Sequence, residues 1–220
     1  MSMQPDELRA NRVRDVETAL IGRLNSERVT AVIARLIAAN EHIGAAYVGA
    51  GLAAKLETSE GRLHLVSDFG VGERVLATAA LNLGIISVHS ALDLCAAAVL
   101  IASDAAIPAL DEKEYGMRQL IEREKERPLW ECFSFWLRMT NDFYEELTTW
   151  RNPQAHRVVL KGYSANEPTN RISGVSVQVY GAKGVLGTAS EATARFADRG
   201  EERFLGLCYA LQQLPSLTLS

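Results

Sequence analysis

The stretch from Glu73 to Ser103 is apolar on every side at helical spacing, and it restricts the fold more than any other feature of the sequence. A helix of this kind must be surrounded by other elements, in a protein core or in a membrane. His89 and Asp93 lie in its middle, where a lipid-facing Asp alone would cost about 2.5–3.5 kcal/mol. The stretch therefore predicts the central buried helix of a globular protein and no membrane span.

Amphipathic segments predict the helices that surround this central one. Pro5 and Ser26 are start signals for two N-terminal helices, and Pro128 starts a helix whose apolar and aromatic residues recur at spacings of three and four. A charged amphipathic segment runs from Asp111 to Glu126, and a final helix is expected from about Glu201 to Leu214. Helices joined by short links in this way are typical of an antiparallel up-and-down bundle.

Two segments carry a weaker helical signal. Six glycines punctuate the residues from Ile43 to Gly72 and predict a loop-rich or short-strand segment. The residues from Val175 to Tyr180 alternate as in a half-buried strand, and Gly181 and Gly184 are placed to turn it into a hairpin. The predicted fold is therefore mainly α, a single helical domain over residues 1–220 with a short β-hairpin or irregular segment near the C-terminus.

Composition and charge narrow the class of protein. With 220 residues, of which 48% are hydrophobic and 23% charged, the chain can bury one sizeable core. The formal charge of −4 argues against coating of nucleic acid or anionic membrane by bulk charge, so any polyanion site must be local. The polar N-terminus lacks the apolar region of a signal peptide, which predicts a cytoplasmic protein. Cys95, Cys132 and Cys208 are far apart and predict core residues, with neither a disulfide framework nor a zinc site.

The sequence Arg-Asn-Pro-Gln-Ala-His-Arg directly follows the aromatic helix and forms the first candidate site. Asn152 is a good helix N-cap and Pro153 suits the first helical position, which places His156 in the first turn of a short helix that Gly162 ends. Arg151, just outside this turn, then faces the same small volume as His156. The positive end of a helix lies beside both side chains.

An arginine and a histidine in this arrangement suit a phosphate ester. The guanidinium can hold a phosphate with two parallel hydrogen bonds, and the imidazole can move a proton near neutral pH. Arg157, Lys161 and Arg171 lie close by in sequence with only Glu167 opposing them, and Arg157 and Lys161 are candidate substrate-binding residues. These are the parts of a metal-free phosphodiesterase, and neither a metal nor a cofactor is predicted.

The Arg-Asn-x3-His pattern of Arg151, Asn152 and His156, at the end of a long aromatic helix in an all-helical chain, resembles the HEPN domain superfamily. The resemblance implies an endoribonuclease that works without metal. It further implies that Asn152 orients the pair, that Arg151 holds the scissile phosphate, and that His156 assists attack by the neighbouring ribose 2′-hydroxyl. The resemblance covers residues 73–161, with N-terminal helices and a loop-rich segment in 1–72 and a C-terminal decoration in 172–220.

The same resemblance implies partners. Members act as dimers with two motifs facing each other across one cleft, which predicts a homodimer. RNA is the implied substrate because only ribose supplies an internal 2′-hydroxyl nucleophile, so that the products are a cyclic phosphate and a 5′-hydroxyl. A toxin or defence component fits this activity, with a nucleotidyltransferase-type antitoxin as its protein partner.

Other interpretations of the same residues stay open. Arg35 and His42 also satisfy an Arg-x6-His pattern inside an ordinary amphipathic helix, so the spacing alone is a weak signal. Asn152 and Pro153 can equally be a plain helix cap, with His156 as a surface residue. The alternative function is a non-catalytic helical module for protein interaction or RNA binding. In that case the aromatic side of the helix packs against a partner or a second copy, through Trp136, Phe143 and Trp150.

Two further features have a structural and a functional interpretation. His89 and Asp93 are one turn apart, and contact between them satisfies both buried groups. Alternatively, they turn toward the candidate site, where they contact Arg151 or a partner subunit. The segment from Val48 to Ala54 fits a dinucleotide-binding Gly-x-Gly-x-x-Ala pattern but leaves no room for a strand–helix–strand unit, which favours close approach of helices through small residues.

Overall fold

A computed structural model describes residues 5–103, 115–151, 158–162, 175–179 and 185–214 of the protein. Most of these residues lie in helices. The mainly α fold predicted from the sequence is confirmed at this level. The described residues form seven helices: α1 (Pro5–Leu20), α2 (Ser26–Glu57), α3 (Ser59–Phe69), α4 (Glu73–Ser103), α5 (Met117–Glu126), α6 (Glu131–Arg151) and α7 (Ala189–Gln212). They also form three strands: β1 (Val158–Gly162), β2 (Val175–Val179) and β3 (Val185–Thr188).

The strands form one antiparallel sheet in the order β1-β2-β3. Leu160 of β1 lies opposite Val177 of β2, and Gln178 of β2 lies opposite Val185 of β3. The residues predicted to turn the hairpin, Gly181 and Gly184, lie outside the described residues.

The chain divides into two compact units. Unit 1 contains Met1–Ile43, His89–Glu145 and Gly200–Ser220, and unit 2 contains Gly44–Val88 and Glu146–Arg199. Segments of α2, α4, α6 and α7 therefore occur in both units.

Unit 1 is built around the second half of α4. Its core combines small and medium-sized apolar residues of α4 with large apolar residues of α6 and α7, most of them aromatic, namely Leu92, Cys95, Val99, Phe133, Trp136, Phe143, Phe204 and Leu207. The Trp136 indole Nε1–H donates to the Arg203 carbonyl oxygen at 2.7 Å, which connects α6 to α7. Arg9 is also buried, and its charge is balanced by the carboxylates of Asp6 and of Glu201, the latter at 2.5 Å. Its guanidinium also donates to the Asn40 side chain at 2.7 Å.

The segment Val75–Ser103 of α4 is long and apolar enough to cross a membrane by length and composition alone. Of its most apolar 18 residues, 78% are buried inside the protein. A core helix has this combination of apolar composition and burial, and the observed bounds of α4 coincide with the predicted ones.

The prediction of a loop-rich or short-strand segment between Ile43 and Gly72 is wrong, because α2 continues to Glu57 and α3 follows from Ser59 to Phe69. Gly49, inside α2, lies so close to α4 that a Cβ there would be 2.7 Å from the Ala80 carbonyl oxygen. This glycine permits helices to approach closely within unit 2 and does not interrupt its own helix. Gly70, by contrast, ends α3 in the left-handed conformation, at φ 62°.

The last helix begins about a dozen residues earlier than the expected start at Glu201, because α7 starts at Ala189. Its N-terminus carries a capping box: the Thr188 N–H donates to the Glu191 carboxylate at 2.9 Å, and the Glu191 N–H donates to the Thr188 hydroxyl at 3.2 Å. Glu57 of α2 accepts two further bonds, from the Ser190 N–H at 3.0 Å and from the Ser190 hydroxyl at 2.6 Å. Four hydrogen bonds therefore fix the helix start.

Candidate functional site

The motif predicted from the sequence begins at the end of α6. Arg151 is the last residue of this helix, and only its backbone is described. Asn152, His156 and Arg157 lie outside the described residues. Lys161 belongs to β1, again with only its backbone described. The mutual geometry of these candidate residues therefore stays a prediction.

The helix expected after Pro153 does not continue to Gly162, because Val158–Gly162 form β1. The expectation relied on capping signals at Asn152 and gave too little weight to the residues that follow. Val158 and Val159 are β-branched and favour an extended backbone that pairs with a neighbouring strand. Here Val158 lies opposite Val179 of β2.

The end of α6 is held against α7 within unit 2. The carboxylate of Glu146 accepts hydrogen bonds from Arg195 at 2.9 Å and from Arg199 at 2.5 Å. One turn further along α6, the buried Trp150 ring meets the Phe196 ring edge-on, with 5.9 Å between centroids. These contacts orient the helix end from which the motif starts.

Sequence reasoning missed this support for the motif. Arg195 and Arg199 are four residues apart and so share one face of a helix, a signal that was available once α7 was known to begin at Ala189. Their common partner, Glu146, is about fifty residues away in sequence, and a local pattern cannot identify such a pair.

The second Arg–His pattern has a different setting. Arg35 and His42 both lie inside α2, far from either end. Arg151 is instead the last residue of its helix, directly before Asn152. The helix boundary therefore separates the candidate motif from the unrelated one with similar spacing.

His89 and Asp93 form a polar cluster in unit 1. His89 is only 3% exposed, and its Nδ1 lies 3.1 Å from Oδ2 of Asp93. Oδ1 of Asp93 accepts the Met117 N–H at 3.1 Å and the Tyr144 hydroxyl at 3.0 Å. The imidazole also lies against the Tyr144 ring, with centroids 4.6 Å apart. The carboxylate thus connects α4 with the start of α5 and with α6.

These contacts determine how Asp93 ionises. Burial raises the pKa of its carboxyl, but hydrogen bonds from His89 and the Met117 N–H, the charge of His89 and the Tyr144 hydroxyl outweigh burial. The pKa of Asp93 therefore lies below its ordinary value of 3.8, and the group is a carboxylate at neutral pH.

Asp93→Asn is expected to destabilise the protein in a pH-dependent way. A carboxyl group whose pKa is lowered by folding stabilises the protein above its unfolded pKa and loses that effect as pH falls through the folded value. At pH 7 the variant should lose about 1–3 kcal/mol of unfolding free energy, because the charged hydrogen bonds of the carboxylate disappear. Below about pH 4 the difference should shrink. Urea denaturation at pH 7 and pH 3 measures it.

The matched control is Asp15→Asn, since Asp15 is exposed on α1 and pairs with Arg12 at 3.4 Å. Its effect should stay within about 0.5 kcal/mol at either pH. An Asp93→Asn variant as stable as wild type at pH 7 would show that the cluster contributes nothing to folding.

The cysteines are free thiols, of which Cys95 and Cys208 are buried and Cys132 is half-buried. Burial raises the pKa of Cys208 to about 12, and burial also raises the pKa of Cys95 well above its ordinary value, so neither is a thiolate at neutral pH. Within the described ranges, no group of three or more His, Cys, Asp or Glu side chains is arranged to hold a metal ion.

An apolar groove lies between α6 and α7 in unit 1, with a volume of about 490 Å³. Its floor is formed by Cys132, Trp136, Gly206 and Ala210, and the exposed side chains of Phe135, Met139 and Tyr209 form its walls. Charged residues of both signs border it, namely Glu131, Arg138, Glu202 and Arg203. The sequence did not distinguish this face of α6 from the buried one.

The aromatic side of α6 that was expected to face a partner is already covered by the protein itself. Trp136, Phe143 and Trp150 are at most 8% exposed. A partner-binding surface on α6 would therefore involve Phe135 and Met139, which are 60% and 48% exposed.

Comparison with known proteins does not assign the chain to a family. No protein-family model, no curated protein and no solved structure matches the chain significantly.

Proposed function

We propose that this protein is a HEPN-type endoribonuclease that cleaves RNA without a metal ion. The proposal depends on one observation, that the sequence Arg151-Asn152-x3-His156 starts at the last residue of a long aromatic helix in a mainly helical protein. The contacts of Glu146 and Trp150 with α7 support it, because a phosphate-binding arginine needs a rigid base.

The proposed reaction is an internal transfer at phosphorus. His156 takes the proton of the ribose 2′-hydroxyl, the oxygen attacks the adjacent phosphorus while the bond to the 5′-oxygen breaks, and the departing 5′-oxygen takes a proton from water. Arg151 stabilises the negative charge that grows on the phosphate oxygens. Asn152 orients this pair. Arg157 and Lys161 contact neighbouring phosphates of the RNA. Such contacts between basic side chains and phosphates supply much of the affinity of a protein for nucleic acid.

The arrangement of the protein around this site belongs to the same proposal. The helices form an antiparallel up-and-down bundle of the HEPN type, with the C-terminal β segment as a decoration. Two copies face each other across one cleft in a cytoplasmic homodimer, a toxin or defence component with a nucleotidyltransferase-type antitoxin as its partner. The role of His89 and Asp93 as supporting residues of the site stays a prediction, and within unit 1 Asp93 bonds Met117 and Tyr144.

Two measurements on the purified protein test the proposal. A fluorescent RNA and its all-deoxy counterpart are incubated with the protein in excess EDTA, and the solution mass is measured by light scattering. We expect the protein to cleave the RNA and to leave the all-deoxy counterpart intact. We also expect its mass in solution to be twice that of one chain. An intact RNA, or cleavage that EDTA abolishes, would contradict the proposal.

The groove between α6 and α7 favours a second candidate function, a non-catalytic interaction module. Its walls expose three large apolar side chains, and exposed apolar patches mark interaction sites. In this case RNA stays intact, and the protein still has the mass of a dimer. The variant Tyr209→Lys should then dissociate the dimer into single chains, because it places a charge in the interface. Tyr209 is 66% exposed in one chain.

A further inference from the structure

A small, partly open cavity lies in unit 1, where the end of α4 meets the end of α5 and the residues that lead into α6. Its volume is about 130 Å³, well above the roughly 10–15 Å³ that one water needs. Six residues line it: Ser103, Arg123, Arg127, Pro128, Leu129 and Trp130. A polyatomic ligand can therefore enter.

Two of the described residues that line this cavity carry a positive charge. Arg123 in the last turn of α5 and Arg127, which directly follows this helix, line the same space. Among the described residues that line the cavity, none is acidic. The nearby carboxylate of Glu124 accepts the Leu129 N–H at 2.7 Å, and that of Glu122 pairs with Arg118 at 3.4 Å.

A serine hydroxyl in the same lining lacks a partner. Oγ of Ser103 is buried, and no hydrogen-bond partner for it occurs in the part of the chain that the structure describes. A buried hydroxyl without a partner is uncommon in proteins and indicates a missing water, ion or ligand. Together with two guanidinium groups, this hydroxyl supplies donors for the oxygens of an anion.

An aromatic ring completes the cavity. Trp130 is half-buried, and its ring packs against that of Phe133 with 5.8 Å between centroids. Proteins bind single-stranded nucleic acids in part through aromatic side chains that stack on the bases and basic side chains that bond the phosphates.

We propose that this cavity is a binding site for a phosphate group, supplied either by a nucleoside monophosphate or by free inorganic phosphate. Arg123 and Arg127 bind the phosphate oxygens and Ser103 donates its hydroxyl hydrogen to one of them. In a nucleotide, the base stacks on Trp130. This site is independent of the proposed ribonuclease motif, since none of its residues belongs to that motif.

Isothermal titration calorimetry of the full-length protein tests the site, with inorganic phosphate, AMP and adenosine as probes at constant ionic strength. We expect saturable binding of phosphate or AMP with one site per chain. AMP that binds at least about tenfold more tightly than phosphate, with adenosine silent, assigns the site to a nucleotide. Equal affinities assign it to free phosphate.

Arg127→Gln is the decisive variant, because Arg127 is exposed and its loss should not affect folding. It should weaken binding by about tenfold or more, as expected for a charged hydrogen bond. Arg118→Gln is the matched control, because Arg118 lies in the first turn of α5, is 84% exposed and does not line the cavity. The proposal would be overturned if neither phosphate nor AMP bound, or if both variants weakened binding equally. The arginines would then only neutralise the negative ends of α4 and α5.

Discussion

Replacement of His156 by alanine should lower the rate of RNA cleavage by about 10²–10⁴-fold, the usual contribution of a general acid or base. The imidazole is the group proposed to take the proton of the 2′-hydroxyl, and alanine cannot replace it. The measurement is kcat/KM on a fluorescent RNA in EDTA, with far-UV circular dichroism to show that the variant is folded.

His64→Ala provides the control, since His64 is exposed on α3 and belongs to no candidate site. Its activity should equal that of wild type. Arg151→Lys adds a separate expectation: the charge remains, but the two-pronged grip on phosphate is lost, so activity should fall while weak RNA binding persists. Equal rates for His156→Ala and wild type would remove His156 from the mechanism.

Gly49→Ala should destabilise the protein by about 1–3 kcal/mol, the usual cost of overpacking a core. This is the opposite of its local effect, because alanine favours a helix over glycine by about 1 kcal/mol. The added Cβ would lie 2.7 Å from the Ala80 carbonyl oxygen and 3.2 Å from the Gly84 nitrogen, so that backbone must move. Urea denaturation followed by circular dichroism measures the change.

Gly51→Ala is the matched control two residues further along α2. A Cβ at Gly51 meets nothing within 4 Å, so here the gain in helix propensity should appear undiminished, as a stabilisation of up to about 1 kcal/mol. If both variants were stabilised alike, the close approach of α2 and α4 at Gly49 would be wrong.

The contrast between α4 and α2 shows how far the sequence predicts the fold. The bounds of α4 coincide with the prediction because an uninterrupted apolar pattern is a local property. The second half of α2 was missed because glycine is a helix breaker by its local preference, whereas Gly49 is needed for contact with Ala80, thirty-one residues away.

The start of α7 was missed for another reason. The sequence Thr188-Ala189-Ser190-Glu191 has the spacing of a capping box, and the structure contains both of its hydrogen bonds. The local signal was therefore present in the sequence. The bonds from Ser190 to Glu57, however, join distant segments and have no local signature.

The candidate sites differ in the same way. The contact of His89 with Asp93 follows from their i, i+4 spacing and is present in the structure. The cavity at Ser103 combines the end of one helix with arginines of the next, so a linear pattern does not indicate it. Likewise, the apolar spacing of α6 predicts an apolar stripe but not which residues stay exposed, as Phe135 does.

The most direct test of the central claim uses a DNA oligonucleotide that contains a single ribonucleotide, incubated with the protein in EDTA. We expect one cut, directly 3′ of the ribonucleotide, with a 2′,3′-cyclic phosphate on one product and a 5′-hydroxyl on the other, and no cut with His156→Ala. Mass spectrometry of the products identifies these ends. Cleavage at deoxyribonucleotides, a 5′-phosphate product, or an uncut oligonucleotide would contradict the central claim.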